Sequence, residues 1–178
     1  SIKAMIQKTM DEFGRIDILV NNAGISIKHT IDQISLDEWN KVLAVNITSY
    51  FLTCREVLPI MQKQNYGRIV NVASVSGRDG GHHGGAHYVT TKAAAYGLTR
   101  HIAKAFGQYN ITANAVAPGQ MLTDGGGFKL EDRKPNPLCP LGRRGEAYEI
   151  AGAVAYLCSD VGNYLTGTII DVNGGLQF

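Results

Sequence analysis

The sequence predicts an α/β fold, a parallel sheet with helices on both faces. Two observations carry that prediction. Four short apolar runs, at 16–20, 68–73, 111–117 and 168–172, are nearly continuous rather than alternating, which suits strands covered on both sides. Between them lie longer stretches with apolar residues at helical spacing, and strands that alternate with helices build a parallel sheet. Composition agrees: 178 residues, 44% hydrophobic and 18% charged, are ordinary for a globular chain and enough for a sizeable core. One domain over 1–178 is the expectation.

The first element is a helix. Ile2, Met5, Ile6, Met10 and Phe13 recur at helical spacing with no capping run before them, so the sequence starts as if inside a helix, and Gly14 stops it. Ile16 to Val20 is the first strand, closed by Asn21-Asn22-Ala23-Gly24. Ser35 with Glu38 at the third helical position has the pattern of a capping box. Trp39, Val42, Leu43 and Val45 extend that helix to about Gln62, with a kink or break expected at Pro59. Arg68 to Ala73 is the second strand. A glycine-rich stretch, 77–85, leads to a long helix over 88–107. Ile111 to Ala117 is the third strand, halted by Pro118-Gly119. Residues 119–145, with glycines at 125–127 and prolines at 135, 137 and 140, are too long for a simple connection and read as a functional loop. Glu146 to Cys158 is a helix, and Thr168 to Val172 a last strand closed by Asn173-Gly174-Gly175.

Several function classes are disfavoured. A net charge of +2 with scattered lysines and arginines argues against nucleic acid. No apolar run approaches the roughly 18 residues of a membrane span, and no signal peptide opens the chain. Cys54, Cys139 and Cys158 are odd in number and far apart, which suits neither a disulfide framework nor a CxxC zinc site; reduced thiols in the cytoplasm are expected.

The run GGHHGGAHYVTTK, 80–92, concentrates polar chemistry. Tyr88 and Lys92 are four apart on a predicted helix and so share one face. A free tyrosine, with a pKa near 10, is a poor acid or base at neutral pH, and a nearby ammonium would lower it. A shift of about 2–3 units needs roughly 3–4 kcal/mol and would make the phenol a usable proton donor and acceptor. Alone, YxxxK is a weak signal that a surface helix produces by chance. Ser74, however, closes the second strand, Asn21 to Gly24 the first and Pro118-Gly119 the third, and sites of open parallel sheets lie at those carboxyl ends. His82, His83 and His87, with Asp79, are the alternative: a metal-binding module. No HExxH and no nearby cysteine completes such a set, so no metal is expected there.

The runs IDILVNNAG (16–24), VNITSYF (45–51), GRIVNVASVSG (67–77), YVTTK (88–92) and ITANAVAPG (111–119) resemble the short-chain dehydrogenase/reductase family in order and spacing. The closing part, 140–175, is similar to the branch holding 3-oxoacyl-carrier-protein reductases, a pattern that many sugar, polyol and secondary-alcohol dehydrogenases share. The resemblance implies a Rossmann-like doubly wound sheet in three α/β/α layers, and hydride transfer between NAD or NADP and a carbonyl or secondary alcohol. By the same resemblance Tyr88 is the general acid or base, and Lys92 lowers its pKa and holds the nicotinamide ribose. Ser74, with Gly77 three residues on, hydrogen-bonds the substrate oxygen, Ser76 being the alternative. Asn46 bends its helix and holds a water linking lysine to solvent. Asn21, Ala23 and Gly24 line the adenosine side of the cofactor; Pro118, Gly119, Met121 and Thr123 flank the nicotinamide. Thr91 stands where a serine is common. The 119–145 loop covers a small-molecule substrate, and helices 36–62 and 88–107 pair copies into a homodimer or homotetramer.

The family's opening strand, TGxxxGxG turn and helix are absent, and Gly80, Gly81, Gly84 and Gly85 follow the wrong strand with the wrong spacing to replace them. The expectation is therefore the C-terminal two-thirds of a reductase, lacking the first strands and helices. Its strand at 16–20 would be an exposed apolar edge, its cofactor binding weak and its stability marginal. An inactive fragment or non-catalytic relative is the alternative to a working enzyme.

Overall fold

The computed structural model describes residues 1–81, 84–123, 129, 133 and 135–177. The chain runs α1 (Ile2–Phe13), β1 (Ile18–Asn21), α2 (Leu36–Leu43), a π-helical turn (Ala44–Thr48), α3 (Ser49–Gln64), β2 (Gly67–Val72), α4 (Ser76–Asp79) and α5 (Ala86–Phe106). It continues through β3 (Ile111–Pro118), β4 (Met121–Leu122), β5 (Gly145–Glu146), α6 (Ala147–Cys158) and β6 (Ile169–Val172). Four strands form one parallel sheet in the order β1-β2-β3-β6, with Ile18 opposite Arg68, Gly67 opposite Ile111 and Ala115 opposite Ile169. β4 and β5 form a separate two-stranded parallel pair.

Successive strand side chains point to opposite faces, and β2 shows what each face meets. Ile69 packs with Ile6, Cys54, Val57, Met61 and Ile102, from α1, α3 and α5. Its neighbour Val70 packs with Val116 and Leu157 against α6. Both are fully buried, which is why these runs are continuous rather than alternating. Only one face of β1 is covered. Ile18 is 47% and Val20 40% exposed, and among the described residues β1 pairs on one side alone, so the expected apolar edge is present there.

At the amino ends of the strands Arg68, 1% exposed, ties three chain segments together. Its Nη1 donates to the carbonyls of Gly67 and Asn110, its Nη2 to Asn163 Oδ1, and its guanidinium lies 4.2 Å over the Tyr66 ring.

Three expectations change. The Ser1 hydroxyl accepts from Ala4 N–H, so α1 has a cap. Pro59 lies inside an unbroken α3, and the irregular turn falls earlier, around Asn46. Near its start and end the 119–145 stretch pairs as β4 and β5, and it is otherwise described only at 119, 120, 123, 129, 133 and 135–144.

Candidate active site

The carboxyl ends of β1, β2 and β3 and the start of α5 meet in one crevice. Ser74, 7% exposed, sits two residues past β2. Its carbonyl accepts the Tyr96 hydroxyl from α5 and Gly77 N–H from α4, and its Oγ accepts Ser76 N–H at 3.2 Å. Ser74 thus lies at the carboxyl end of β2, and its Oγ is tied to the main chain of Ser76. The glycine at 77 has a steric cause. A Cβ there would stand 2.8 Å from the Lys92 carbonyl carbon and the Ala93 nitrogen, so only glycine lets α4 lie against the backbone of α5.

Tyr88 is partly buried, with its phenol beside Ser74. Burial pushes the phenol above its ordinary value, and the neighbouring Ser74 opposes this more weakly. The expected lowering by Lys92 is not found. Nζ lies 5.7 Å from the Tyr88 ring centroid and 5.9 Å from that of Tyr50, and donates to the Val72 carbonyl at 2.7 Å. Lys92 is itself 4% exposed, and desolvation brings it down to about 8. The loss of water around both groups outweighs their mutual effect.

Asn46, fully buried, stands in the π turn. Its Oδ1 accepts Ile25 N–H at 2.8 Å, and its Nδ2 donates to Ile25 O and Thr91 Oγ1. Thr91 Oγ1 in turn donates to Tyr88 O. Asn46 thus ties the turn after β1 to α5. Gly24 completes this corner: a Cβ on it would lie 3.5 Å from Lys92 Nζ and 3.6 Å from Asn46 Oδ1. Ala23 beside it is exposed.

Asn21 behaves differently from its expected cofactor role. Its amide is turned inward, donating to Asn71 Oδ1 and accepting from Thr53 Oγ1, at 5% exposure, so that side chain is spent inside the fold. Across the crevice, Gly119 N–H donates to Val172 O, and a Cβ at Gly119 would meet Asn173 at 2.8 Å. Pro118 ends β3, and Met121 begins β4 with Thr123 just beyond. Met121, Leu141, Arg143 and Gly145 line a cavity of about 450 Å³ against Asp171–Gly175.

His82 and His83 lie outside the described residues. His87 spends both ring nitrogens, accepting Tyr88 N–H and donating to Glu38, which leaves neither for a metal. Among the described residues no group of three or more His, Cys, Asp or Glu is placed to hold a metal ion, and no helix is long and apolar enough to cross a membrane. Glu38 and Tyr96 are the site neighbours that sequence reasoning missed. Glu38 was already accounted for as a capping-box residue; Tyr96, eight residues after Tyr88, shares its helix face and could have been found by that spacing.

Comparison with known proteins agrees with this geometry. A family model described as "Enoyl-(Acyl carrier protein) reductase" matches residues 1–177. The chain is 40% identical to the 3-oxoacyl-[acyl-carrier-protein] reductase FabG of Haemophilus influenzae, covering 99% of this chain and 73% of that protein. It is 42% identical to the protein of the same name from Aquifex aeolicus, covering 99% of this chain and 71% of that protein. Among solved structures, a 3-oxoacyl-[acyl-carrier protein] reductase with bound NAD from Brucella melitensis superposes with a TM-score of 0.88 at 35% identity, covering all of this chain and 68% of that one. Levodione reductase gives the same TM-score and identity, covering 98% of this chain and 71% of that one. The fold is thus a Rossmann-like α/β fold of the NAD(P)-dependent oxidoreductase class. Within that class the chain belongs to the short-chain dehydrogenase/reductase family, in its 3-oxoacyl-[acyl-carrier-protein] reductase-like branch.

Proposed function

We propose that the protein reduces the ketone of a 3-oxoacyl thioester, or a ketone closely like it, to the secondary alcohol with NAD(P)H, and that Tyr88 supplies the proton. The observation that carries this reading is the placement of the Tyr88 phenol beside the buried Ser74, with the Lys92 ammonium 5.7 Å from the Tyr88 ring. Bound NAD(P)H supplies the hydride. Ser74 and the Tyr88 O–H both donate to the carbonyl oxygen, where negative charge develops. The Tyr88 proton passes to that oxygen as the alcohol forms, leaving a phenolate that the Lys92 ammonium stabilises.

The residues present suit a nicotinamide ribose. Lys92 has three N–H donors, and its position beside Gly24 leaves room for a hydroxyl next to Nζ. Ala23, Gly24 and the main chain of Asn21 would border the adenosine side. Pro118, Gly119, Met121 and Thr123 would flank the nicotinamide, and 119–145 would cover the substrate.

A raised Tyr88 pKa keeps the acid form at neutral pH, which favours reduction. We expect reduction to hold steady up to about pH 8 and fall above it as Lys92 loses its charge. The test is acetoacetyl-thioester reduction followed by NAD(P)H absorbance. Tyr88→Phe should lower kcat about 10²–10⁴-fold with the fold intact, and turnover near that of the parent would refute the reading. Exposed Phe51 on α3 and the small, open Ala93, Ala94 and Gly97 on α5 support pairing with a second copy, which light scattering tests. Three free cysteines support a reducing, cytoplasmic setting, testable by fractionation.

A further inference from the structure

We infer that His87 is a positioning residue for Tyr88, locked in one tautomer by Glu38 and His29, so that the three side chains fix the first turn of α5 for proton transfer. This rests on the proposed role of Tyr88 and adds residues to it. The first turn of a helix leaves N–H groups without intrahelical partners. The N-cap of α5 is Gly85, which has no side chain to accept one. A side chain could not easily be placed there: a Cβ would lie 2.7 Å from His87 Cε1 and 3.1 Å from the carbonyl oxygens of Ile27 and His29.

His87 fills the role from inside the helix. Tyr88 N–H, at the third helical position, donates to His87 Nδ1 at 2.7 Å. A ring nitrogen that accepts carries no proton, so the proton lies on Nε2. Nε2 is 2.9 Å from Glu38 Oε1, and the ring is fully buried. The Glu38 carboxylate also accepts from His29 Nδ1 at 2.9–3.0 Å. The His87 bond, followed by that of His29, holds the Glu38 carboxyl below its ordinary range. Glu38 is anchored in turn through its own N–H, which donates to Ser35 Oγ. The array therefore runs from the surface at His29, through the cap of α2, to the main chain of Tyr88. Turning the imidazole would break both of its bonds at once. His87 acts through the Tyr88 backbone and touches no reacting atom.

The test has a spectroscopic and a kinetic arm. Long-range ¹H–¹⁵N imidazole spectra of the intact protein at neutral pH should show His87 as the Nε2–H tautomer, shifted in Glu38→Gln. An Nδ1–H tautomer or an imidazolium overturns the inference, because neither can accept the Tyr88 N–H. In the kinetic arm, His87→Leu should lower kcat about 10–100-fold with KM within about twofold, as expected for a misplaced group. His87→Asn, which keeps an acceptor near the Nδ1 position, should restore most of that loss. Equal kcat for Leu and Asn, or a loss confined to KM, overturns it. Should His87→Leu fail to fold, His87→Asn and the spectrum of the unaltered protein decide. Tyr88→Phe keeps the two failures apart. Lost turnover in Tyr88→Phe with unchanged kcat in the His87 variants rejects only the positioning role. Retained turnover in Tyr88→Phe rejects the acid role and the inference with it.

Discussion

Lys92 carries a charge where the fold makes charge costly. Its pKa of about 8, against 10.5 for a free lysine, means that the unfolded chain binds the extra proton more readily between those values. Stability therefore rises with pH through the window from about 8 to 10.5, and the burial penalty is fully present below it. The penalty is about 3 kcal/mol, taken as order of magnitude. Lys92→Met should raise the urea midpoint at pH 7 while abolishing turnover, because the Val72 carbonyl keeps the Tyr50 hydroxyl as a partner. The advantage of the variant should shrink as pH rises past 8. Equal midpoints at pH 7 would show that the lysine is not desolvated as described. The Tyr88–Lys92 pair was legible in the sequence because helical spacing alone puts residues four apart on one face. The Glu38–His87 contact was not. Its partners are 49 positions apart, and Glu38 already had a local explanation as the third residue of a helix.

Elements meet at this site through single residues, and some of them allow no substitute. Gly77→Ala would drive a methyl into the α5 backbone at Lys92 and Ala93, costing about 1–3 kcal/mol, with a matching fall in turnover as Ser74 shifts. Gly24→Ala, whose Cβ would find ordinary contacts, should fold like the parent, and comparing the two urea curves checks the steric account. Asn46→Ala strips three hydrogen bonds that join the turn after β1 to α5. About 2–3 kcal/mol of destabilisation is expected, measured by the same denaturation. Strands and long helices were readable from apolar runs and spacing. The bend at Asn46 was expected only from the family resemblance, not from the local pattern, because the turn depends on Asn46 reaching Ile25 and Thr91 across tertiary packing. The inward turn of the Asn21 side chain was not legible for a related reason. Asn21 begins an interior ladder through Asn71 to Thr99 that links β1, β2 and α5, and nothing local distinguishes such an amide from one that faces a ligand.

At the largest scale, the described sheet encloses its middle strands and leaves its first strand open. β2 and β3 are covered on both faces, whereas β1 shows Ile18 and Val20 to solvent along an unpaired edge. Such an edge invites strand addition. Val20→Lys should therefore reduce concentration-dependent association in light scattering without altering the circular dichroism spectrum. The sheet is also divided along its strands, with the chemistry at the carboxyl ends and Arg68 binding Gly67, Asn110 and Asn163 at the amino ends. That clamp has a consequence for how the molecule breathes. Amides near Arg68 should exchange with deuterium only on global opening, while those around Ser74 and α4 exchange through smaller local openings. The crevice could then be reshaped for a new ketone by changing residues at one end, with the slowest-exchanging amides at the other end left undisturbed.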